Sequence, residues 1–417
     1  MTLAAIVLWS TGLLQAPLLA IWLVLAAYLV FMTGSALLAR RREVQRIPPA
    51  VPRTCFTILV PAHNEALVIG ECLRSLTSFD YPRDQARVIV IADNCTDDTA
   101  DLARAAGVTA YERSDADRRG KGYALEWALA RLLAEDGGWT DAVLVFDADT
   151  LADAAFLRQM DARLQAGSLA LQAQYNVLDP FHNWRTALLY CALLLHNRLR
   201  PLARQTWGAT TLLKGNGMCF ARQVVEQFGW SAYSLAEDIE FTTTLLRAGI
   251  RVEPVPGAVL YAQVPQTAEQ ARSQRMRWEG GRFALARRDG IRLLREFQRE
   301  RTAAKLDWAM ELFTPPLAIL VGVPLGLLLL NTALGWLVGS PPGLALTGWA
   351  LSLIGVGIYV VGGLLISGAD RRAYLYLLAT PLFMLWKLRI YGAMLLGRGP
   401  RGWVRTERTT ITGTGTK

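Results

Sequence analysis

The sequence predicts an α/β domain with a parallel sheet, joined to α-helical membrane segments. Three observations carry that prediction. Apolar runs rich in β-branched residues at 56–60, 87–92 and 143–146 each end in a polar, acidic tip and lead into a helical stretch. That alternation is expected of a parallel sheet covered on both faces. The 417-residue chain is 52% hydrophobic and only 19% charged, with a mean hydropathy of +0.24, too apolar for a soluble domain alone. Long apolar stretches flanked by arginines lie on both sides of the βα region.

Residues 3–38 are nearly free of charge. The polar patch Ser10-Thr11-Gly12 and Pro17 place the spanning helix at 17–38, after a short apolar lead-in. Arg40, Arg41, Arg42 and Arg46 follow, so the positive-inside rule puts them in the cytoplasm and the N-terminus outside. Basic residues after the apolar run speak against a cleaved signal peptide. Pro48, Pro49 and Pro52 then make a stiff connection.

The first strand ends in Pro61-Ala-His-Asn-Glu65, with helical spacing over 66–76. The second ends in Asp93-Asn94-Cys95-Thr96-Asp97-Asp98, with a helix over 99–106. The third unit runs over 141–160 and carries Asp147-Ala148-Asp149. Between them a flexible basic loop at 115–122 precedes an amphipathic helix over 123–133.

Further on, the run 186–195 is too short to span and reads as a core or interfacial helix. Residues 214–220 form a glycine-rich turn entering a strand, and Glu237-Asp238 lead into a helical stretch. Gln274, Arg277 and Trp278 fall on one face of an arginine-rich helix. A basic amphipathic stretch at 291–297 suits a membrane interface, and apolar segments follow at 306–337, containing Pro315-Pro316, and at 344–366. Residues 374–396 are apolar enough to span but are interrupted by Pro381, Lys387 and Arg389. A re-entrant or interfacial element is favoured there, because it returns the basic tail around Trp403 to the cytoplasmic face. The expected division is 1–48, a membrane helix and linker; 49–300, the catalytic domain; and 301–417, membrane or interfacial helices and a cytoplasmic tail.

The formal charge is +9. Nucleic acid is the first reading of such a basic chain, but ten arginines crowd into 272–301 and others flank the first apolar stretch. That placement marks a cytoplasmic membrane face and anionic headgroups, so no nucleic-acid partner is expected. Cys55, Cys72, Cys95, Cys191 and Cys219 are odd in number and lack C-x-x-C spacing, which implies neither disulfide framework nor zinc site. His63, His182 and His196 stand singly, and structural roles are expected for them.

A parallel sheet would gather Glu65, Asp93, Asp147 and Asp149 in the crevice at its carboxyl edge, where α/β sheets bind ligands. Two carboxylates one residue apart after a buried strand suit Mg²⁺ or Mn²⁺ that also holds substrate phosphates. An ordinary acidic turn has the same appearance. Asp93-Asn94 and Asp97-Asp98 fit helix capping as well as ligand binding, and Glu237-Asp238 is also favoured by a helix dipole. Glycines on either side of Lys121 would let its ammonium approach a diphosphate closely.

Taken in order, Val60-Pro-Ala-His-Asn-Glu65, Asp93, Gly120-Lys121, Asp147-Ala-Asp149, Glu237-Asp238 and Gln274-x-x-Arg277-Trp278, with apolar spans before and after, resemble the membrane-integrated family 2 glycosyltransferases. The last motif, with the acidic pair upstream, is typical of cellulose, chitin, hyaluronan and poly-N-acetylglucosamine synthases and of ceramide glucosyltransferases. The resemblance implies a Rossmann-like GT-A domain with a mostly parallel sheet at the cytoplasmic face of a bacterial-type inner membrane. It implies a hexosyl- or N-acetylhexosaminyltransferase. Glu65, Asp93 and Lys121 would line the nucleotide pocket, with Asp93 facing the base or ribose. Asp147 and Asp149 would hold the diphosphate through Mg²⁺ or Mn²⁺, Asp149 as direct ligand. Asp238 would be the general base with Glu237 beside it, Gln274 and Arg277 would hold the pyrophosphate, and Trp278 would floor the acceptor site.

The reading that follows is an inverting transfer from a nucleotide sugar, with a UDP-sugar expected, to a growing polysaccharide or oligosaccharide. A single transfer to a membrane lipid is the alternative, since three or four spans are fewer than larger polymer-secreting synthases carry. A non-catalytic nucleotide-sugar binder or transporter is the third reading, and a general base at Asp238 argues against it.

Overall fold

The computed structural model describes residues 3–41, 51–265, 267–339 and 343–395. Arg42, Arg46, Pro48, Pro49 and the tail around Trp403 lie outside the described residues. The described residues form two compact units, those within Gln45–Tyr190, Ala209–Asp289 and Ala393–Lys417 making one, and those within Met1–Val44, Cys191–Gly208 and Gly290–Gly392 the other.

The first of these is built on one eight-stranded sheet. In chain order the strands are β1 (Phe56–Ala62), β2 (Ala86–Asp93), β3 (Thr109–Arg113), β4 (Ala142–Val145), β5 (Thr150–Ala152), β6 (Ala170–Val177), β7 (Met218–Ala221) and β8 (Val252–Ala262). In space they run β3-β2-β1-β4-β7-β6-β8-β5. The strands β3, β2, β1 and β4 are mutually parallel, as the βα alternation predicts. The sheet as a whole is mixed, because β7 runs antiparallel to β4 and β6, and β5 antiparallel to β8. The apolar run of β7 has the same composition and period in either direction, so its polarity had no signal in the sequence.

Alternate side chains of the central strands enter two separate cores, one on each face. Phe56, Ile58 and Val60 of β1 pack with Leu144, Phe146, Phe156 and Met160 on one face. Leu59 packs with Val143, Val145, Leu125, Leu129 and Phe241 on the other. Burial of each such side chain contributes about 1.5–3 kcal/mol, and it pins the register on which the strand ends depend. The βα helices are Ile69–Thr77, Thr99–Ala105 and Lys121–Glu135. The last begins at Lys121, earlier than the expected 123, because Gly120 before it takes a φ of +121°. The third polar tip is followed by the short edge strand β5 before its helix, Phe156–Gln165.

Among the described residues of the other unit, three helices are long and apolar enough to cross a membrane: Gly12–Arg41, Leu317–Leu337 and Leu344–Ser367. The first belongs to a continuous helix, Leu3–Arg41, that runs through Pro17. The expected break there does not occur, since apolar surroundings strongly favour satisfying backbone groups within the helix and tolerate a proline. Pro315-Pro316 does divide its segment, into Ala303–Phe313 and Leu317–Leu337. Residues 374–395 fall in Arg371–Tyr376, a 3₁₀ turn at Leu377–Ala379 and Thr380–Leu395, and Leu396 lies outside the described residues.

This unit also holds a buried ionic cluster. Glu311 accepts from Arg200 Nη1 at 2.6 Å and from Arg204 Nη2 at 2.9 Å, while Arg204 Nε donates to Asp307 at 2.8 Å. The Tyr28 hydroxyl donates to Asp307 at 2.8 Å and accepts from Arg204 at 2.9 Å, and the Tyr359 hydroxyl accepts from Arg200 at 2.9 Å.

Candidate active site

Strands β1, β2 and β4 are parallel and adjacent, so their tips leave the sheet along one edge. The tips of β1 and β2 are stitched together. Asn64 and Asn94 adopt left-handed backbone conformations, φ 57° and 52°, a region asparagine tolerates better than most residues. Asn64 Oδ1 accepts from Thr96 N–H at 2.7 Å, and Glu65 N–H donates to Thr99 Oγ1 at 2.9 Å. Asp97 accepts from the N–H groups of Ala66 and Thr99, each at 3.1 Å, so the capping reading holds for this carboxylate. His63 Nδ1 lies 2.7 Å from the Asp93 carbonyl oxygen, a structural role as expected.

Asp93 is buried at the end of β2. Its carboxylate accepts from Arg113 Nη1 at 2.6 Å and Asn94 Nδ2 at 3.1 Å, and Arg113 Nη2 reaches on to Asp115 at 2.7 Å. The two-pronged guanidinium thus fixes the orientation of Asp93. Sequence reasoning missed Arg113 because it ends a five-residue strand with no strong apolar pattern.

At the β4 tip, Asp149 is buried and the Asp147 carboxylate accepts from Lys121 Nζ. The same ammonium donates to the Gly215 carbonyl. Burial alone would lower the pKa of Lys121. The carboxylates of Asp147, Glu237 and Asp238 outweigh that and raise it above its ordinary value. The turn bearing Gly215 is held by two buried amides also absent from the sequence reading. Asn216 accepts from Asp147 N–H at 3.2 Å and donates to Thr150 Oγ1 at 2.7 Å. Gln172 donates to the Asn216 carbonyl at 2.8 Å and accepts from Lys214 N–H at 2.9 Å. The glycine-rich composition of 214–217 was the available signal, and it read only as a turn.

Gly122 also has a packing role. A Cβ there would lie 2.5 Å from the Ala232 carbonyl oxygen, so only glycine lets the helix carrying Lys121 pack against that loop.

Glu237 and Asp238 open the helix Glu237–Arg247. Asp238 accepts from Ile239 N–H at 2.8 Å. Burial, then the Glu237 charge, push its carboxyl up to about 7, against the opposing pull of the Ile239 N–H and Lys121. Gln274 and Trp278 lie on the helix Ala268–Leu285, and Trp278 is 43% exposed. The side chain of Arg277 lies outside the described residues. Gly281 of that helix packs on Ala236, where an added Cβ would meet the alanine Cβ at 3.0 Å. The structure therefore brings Lys121 among Asp147, Glu237 and Asp238, with Asp149 on the same β4 tip. It sets Asp93 at the β2 tip and the Gln274–Trp278 helix beside the loop that leads to Glu237.

Among the described residues no three His, Cys, Asp or Glu side chains cluster to cage a metal. Asp147 and Asp149 supply hard oxygens from one tip. Such a set fits Mg²⁺ or Mn²⁺ whose shell is completed by phosphate oxygens and water.

This sheet with acidic tips along the edge of its parallel half is that of a GT-A-like domain. Residues 52–281 match the model of glycosyltransferase-like family 2, and the chain belongs to that family. It is 26% identical over 262 residues to the Bacillus subtilis protein named "Probable glycosyltransferase YdaM", covering 60% of this chain and 59% of that one. It is 30% identical over 239 residues to a beta-monoglucosyldiacylglycerol synthase of Synechocystis, covering 55% and 48%. Against an N-acetylglucosaminyltransferase of Rhizobium leguminosarum the values are 24% over 269 residues, 61% and 62%. The chain thus spans about half to three-fifths of the length of these relatives. Among solved structures, a mannosyltransferase from Pyrobaculum calidifontis in complex with GDP-Man and Mn²⁺ aligns over 89% of this chain and 99% of that one, with a TM-score of 0.48 and 22% identity.

Proposed function

We propose that the protein is an inverting, metal-dependent glycosyltransferase at the cytoplasmic face of a bacterial-type inner membrane, transferring a sugar from a UDP-sugar to a hydroxyl of a growing glycan. The observation that carries this reading is Asp238, a carboxyl pushed up to about 7 close to the Lys121–Asp147 pair. A base of that pKa is matched to taking a proton near neutral pH.

In the proposed reaction the acceptor oxygen attacks the anomeric carbon from the face opposite the nucleotide. Asp238 takes the hydroxyl proton. The bond from the anomeric carbon to phosphate breaks, its electron pair leaves with the nucleoside diphosphate, and configuration inverts. Glu237 keeps the base basic by charge. Lys121, Gln274 and Arg277 hold the diphosphate, and their positive and donor groups meet the charge that develops on it. Asp93, oriented by Arg113, receives the nucleoside, with Glu65 lining the same pocket. Asp147 and Asp149 would hold the divalent metal, which when bound supplies further charge neutralisation at the leaving phosphate. Trp278 offers an exposed ring on which an acceptor sugar can stack.

A second reading, transfer to a membrane lipid, draws on a mainly apolar cavity of about 180 Å³ beside the loop that leads to Glu237, lined by Leu235, Gly280, Gly281, Ala284 and Leu285 among others. The test is incubation of the protein in lipid nanodiscs with radiolabelled UDP-sugars and Mn²⁺ or Mg²⁺. A high-molecular-weight, glycanase-sensitive product supports the glycan acceptor, and a single species in the organic phase supports the lipid. Transfer that survives EDTA undiminished would refute the metal dependence.

A further inference from the structure

We infer that Glu240 is a positioning residue for the proposed base Asp238, and that it acts by clamping the loop Tyr233–Ser234 ahead of the catalytic helix. The inference rests on the reading of Asp238 given above. The mechanism otherwise makes no use of Glu240.

The first four N–H groups of a helix have no partner within it, and a side-chain oxygen at the preceding residue ordinarily fixes how the chain enters. Here the preceding residue is Ala236, which makes no side-chain capping bond. Glu240 does a related job from inside the helix. Its Oε2 reaches back to accept from Tyr233 N–H at 3.1 Å and Ser234 N–H at 3.0 Å. Its Oε1 accepts from Arg288 Nη2 at 2.9 Å. Burial works against the charge on Glu240. The Ser234 N–H and Arg288 prevail and hold its carboxyl below the usual glutamate range, so it is ionised, and a strong acceptor, at neutral pH.

The clamped loop is fastened at a second point. The Tyr233 ring stacks on Tyr123, with centroids 4.9 Å apart and planes 22° from parallel. The Arg118 guanidinium lies 4.9 Å from the Tyr123 ring centre. Tyr123 is two residues beyond Lys121 on the same helix. One short loop therefore sets the base against the lysine that contacts Asp147, and Glu240 holds that loop where the N-cap alanine cannot. If the loop shifts, Asp238 moves relative to the acceptor hydroxyl while the strand-end residues of the nucleotide pocket remain in place.

The test uses the full chain in nanodiscs, with Glu240→Ala, Glu240→Gln and Asp238→Asn compared with wild type. The measurements are hydrogen exchange over 230–240, UDP–Mn²⁺ affinity by calorimetry, and turnover of the most active UDP-sugar in the donor panel. Glu240→Ala should speed exchange locally at 233–238. It should lower kcat about 10- to 100-fold, as expected for a displaced catalytic group, with KM for the UDP-sugar and UDP affinity within about twofold. Glu240→Gln keeps an acceptor oxygen and should recover part of the loss. Unchanged local exchange, or wild-type kcat in Glu240→Ala beside an inactive Asp238→Asn, would overturn the positioning role alone. An active Asp238→Asn would overturn the base assignment on which it rests. Parallel losses of kcat, UDP affinity and melting temperature in Glu240→Ala would make the residue merely structural.

Discussion

Two groups of charged side chains meet in this protein, one buried and one at the sheet edge, and they treat their carboxyl groups differently. In the unit of long apolar helices, Arg200 and Arg204 meet Glu311 and Asp307 charge for charge, with two tyrosine hydroxyls completing the hydrogen bonds. At the sheet edge, Lys121 lies among Asp147, Glu237 and Asp238. There Asp238 is pushed up to about 7, by burial first and by the Glu237 charge second. The contrast separates two uses of buried charge. A structural cluster needs full compensation, because an unpaired charge in a poor dielectric costs more than its contacts return. A carboxyl set beside a second carboxylate holds its proton more tightly, which suits a group proposed to exchange a proton near neutral pH.

The sharpest way to break the comparison is to remove one charge from each. Asp238→Asn should cut turnover by about 10²–10⁴-fold, the range typical of a lost general base, while UDP affinity persists. Full activity would place the base elsewhere. In stability the same substitution should help. The folded pKa of Asp238 lies above its unfolded value, so the group's contribution to stability is fully present in acid and is lost as pH rises through about 7. The asparagine avoids that loss, and its gain in melting temperature should be largest at pH 8 and fade as pH falls toward the ordinary aspartate range.

Glu311→Ala should do the reverse. It strands Arg200 and Arg204 without their shared carboxylate and should cost about 3–5 kcal/mol, read as a fall in melting temperature in detergent. A loss under 1 kcal/mol would show that water relieves the cluster. A milder probe of the proposed base is pH. Below about 7, kcat/KM should fall about tenfold per unit as Asp238 gains its proton; a flat profile down to pH 5 would contradict an elevated pKa in the free enzyme.

Gly122→Ala is the smallest change. Its methyl would press on the Ala232 carbonyl oxygen, and relief of the overlap should cost about 1–3 kcal/mol. Because the helix carries Lys121, KM for the UDP-sugar should rise more than kcat falls. An unaltered KM would mean that Lys121 adjusts independently of its helix.

Much of the sheet edge was legible in the chain itself. Apolar runs of β-branched residues ending in carboxylates specify buried strands, and the βα alternation makes β1, β2 and β4 parallel, which is enough to bring Asp93 and Asp147 to one edge. The motif from Gln274 to Trp278 lies on a helix as its spacing required. The apolar lengths likewise pointed to the helices that are long and apolar enough to cross a membrane.

Other features depended on long-range contacts that leave no local pattern. Arg113 orients Asp93 from a neighbouring strand, Asn216 braces the Asp147 turn, and Gln172 in turn braces the turn that carries Asn216. In the sequence these are ordinary polar residues. Lys121 lies at the start of a helix and not in a loop, and Gly122 serves a backbone contact more than one hundred residues away in the chain. The sequence by itself determined which residues must be buried and which strands run together, because hydrophobic period and chain direction are local properties. Only the tertiary structure decided which polar groups meet, since a hydrogen bond or ion pair depends on distances that close when separate segments pack.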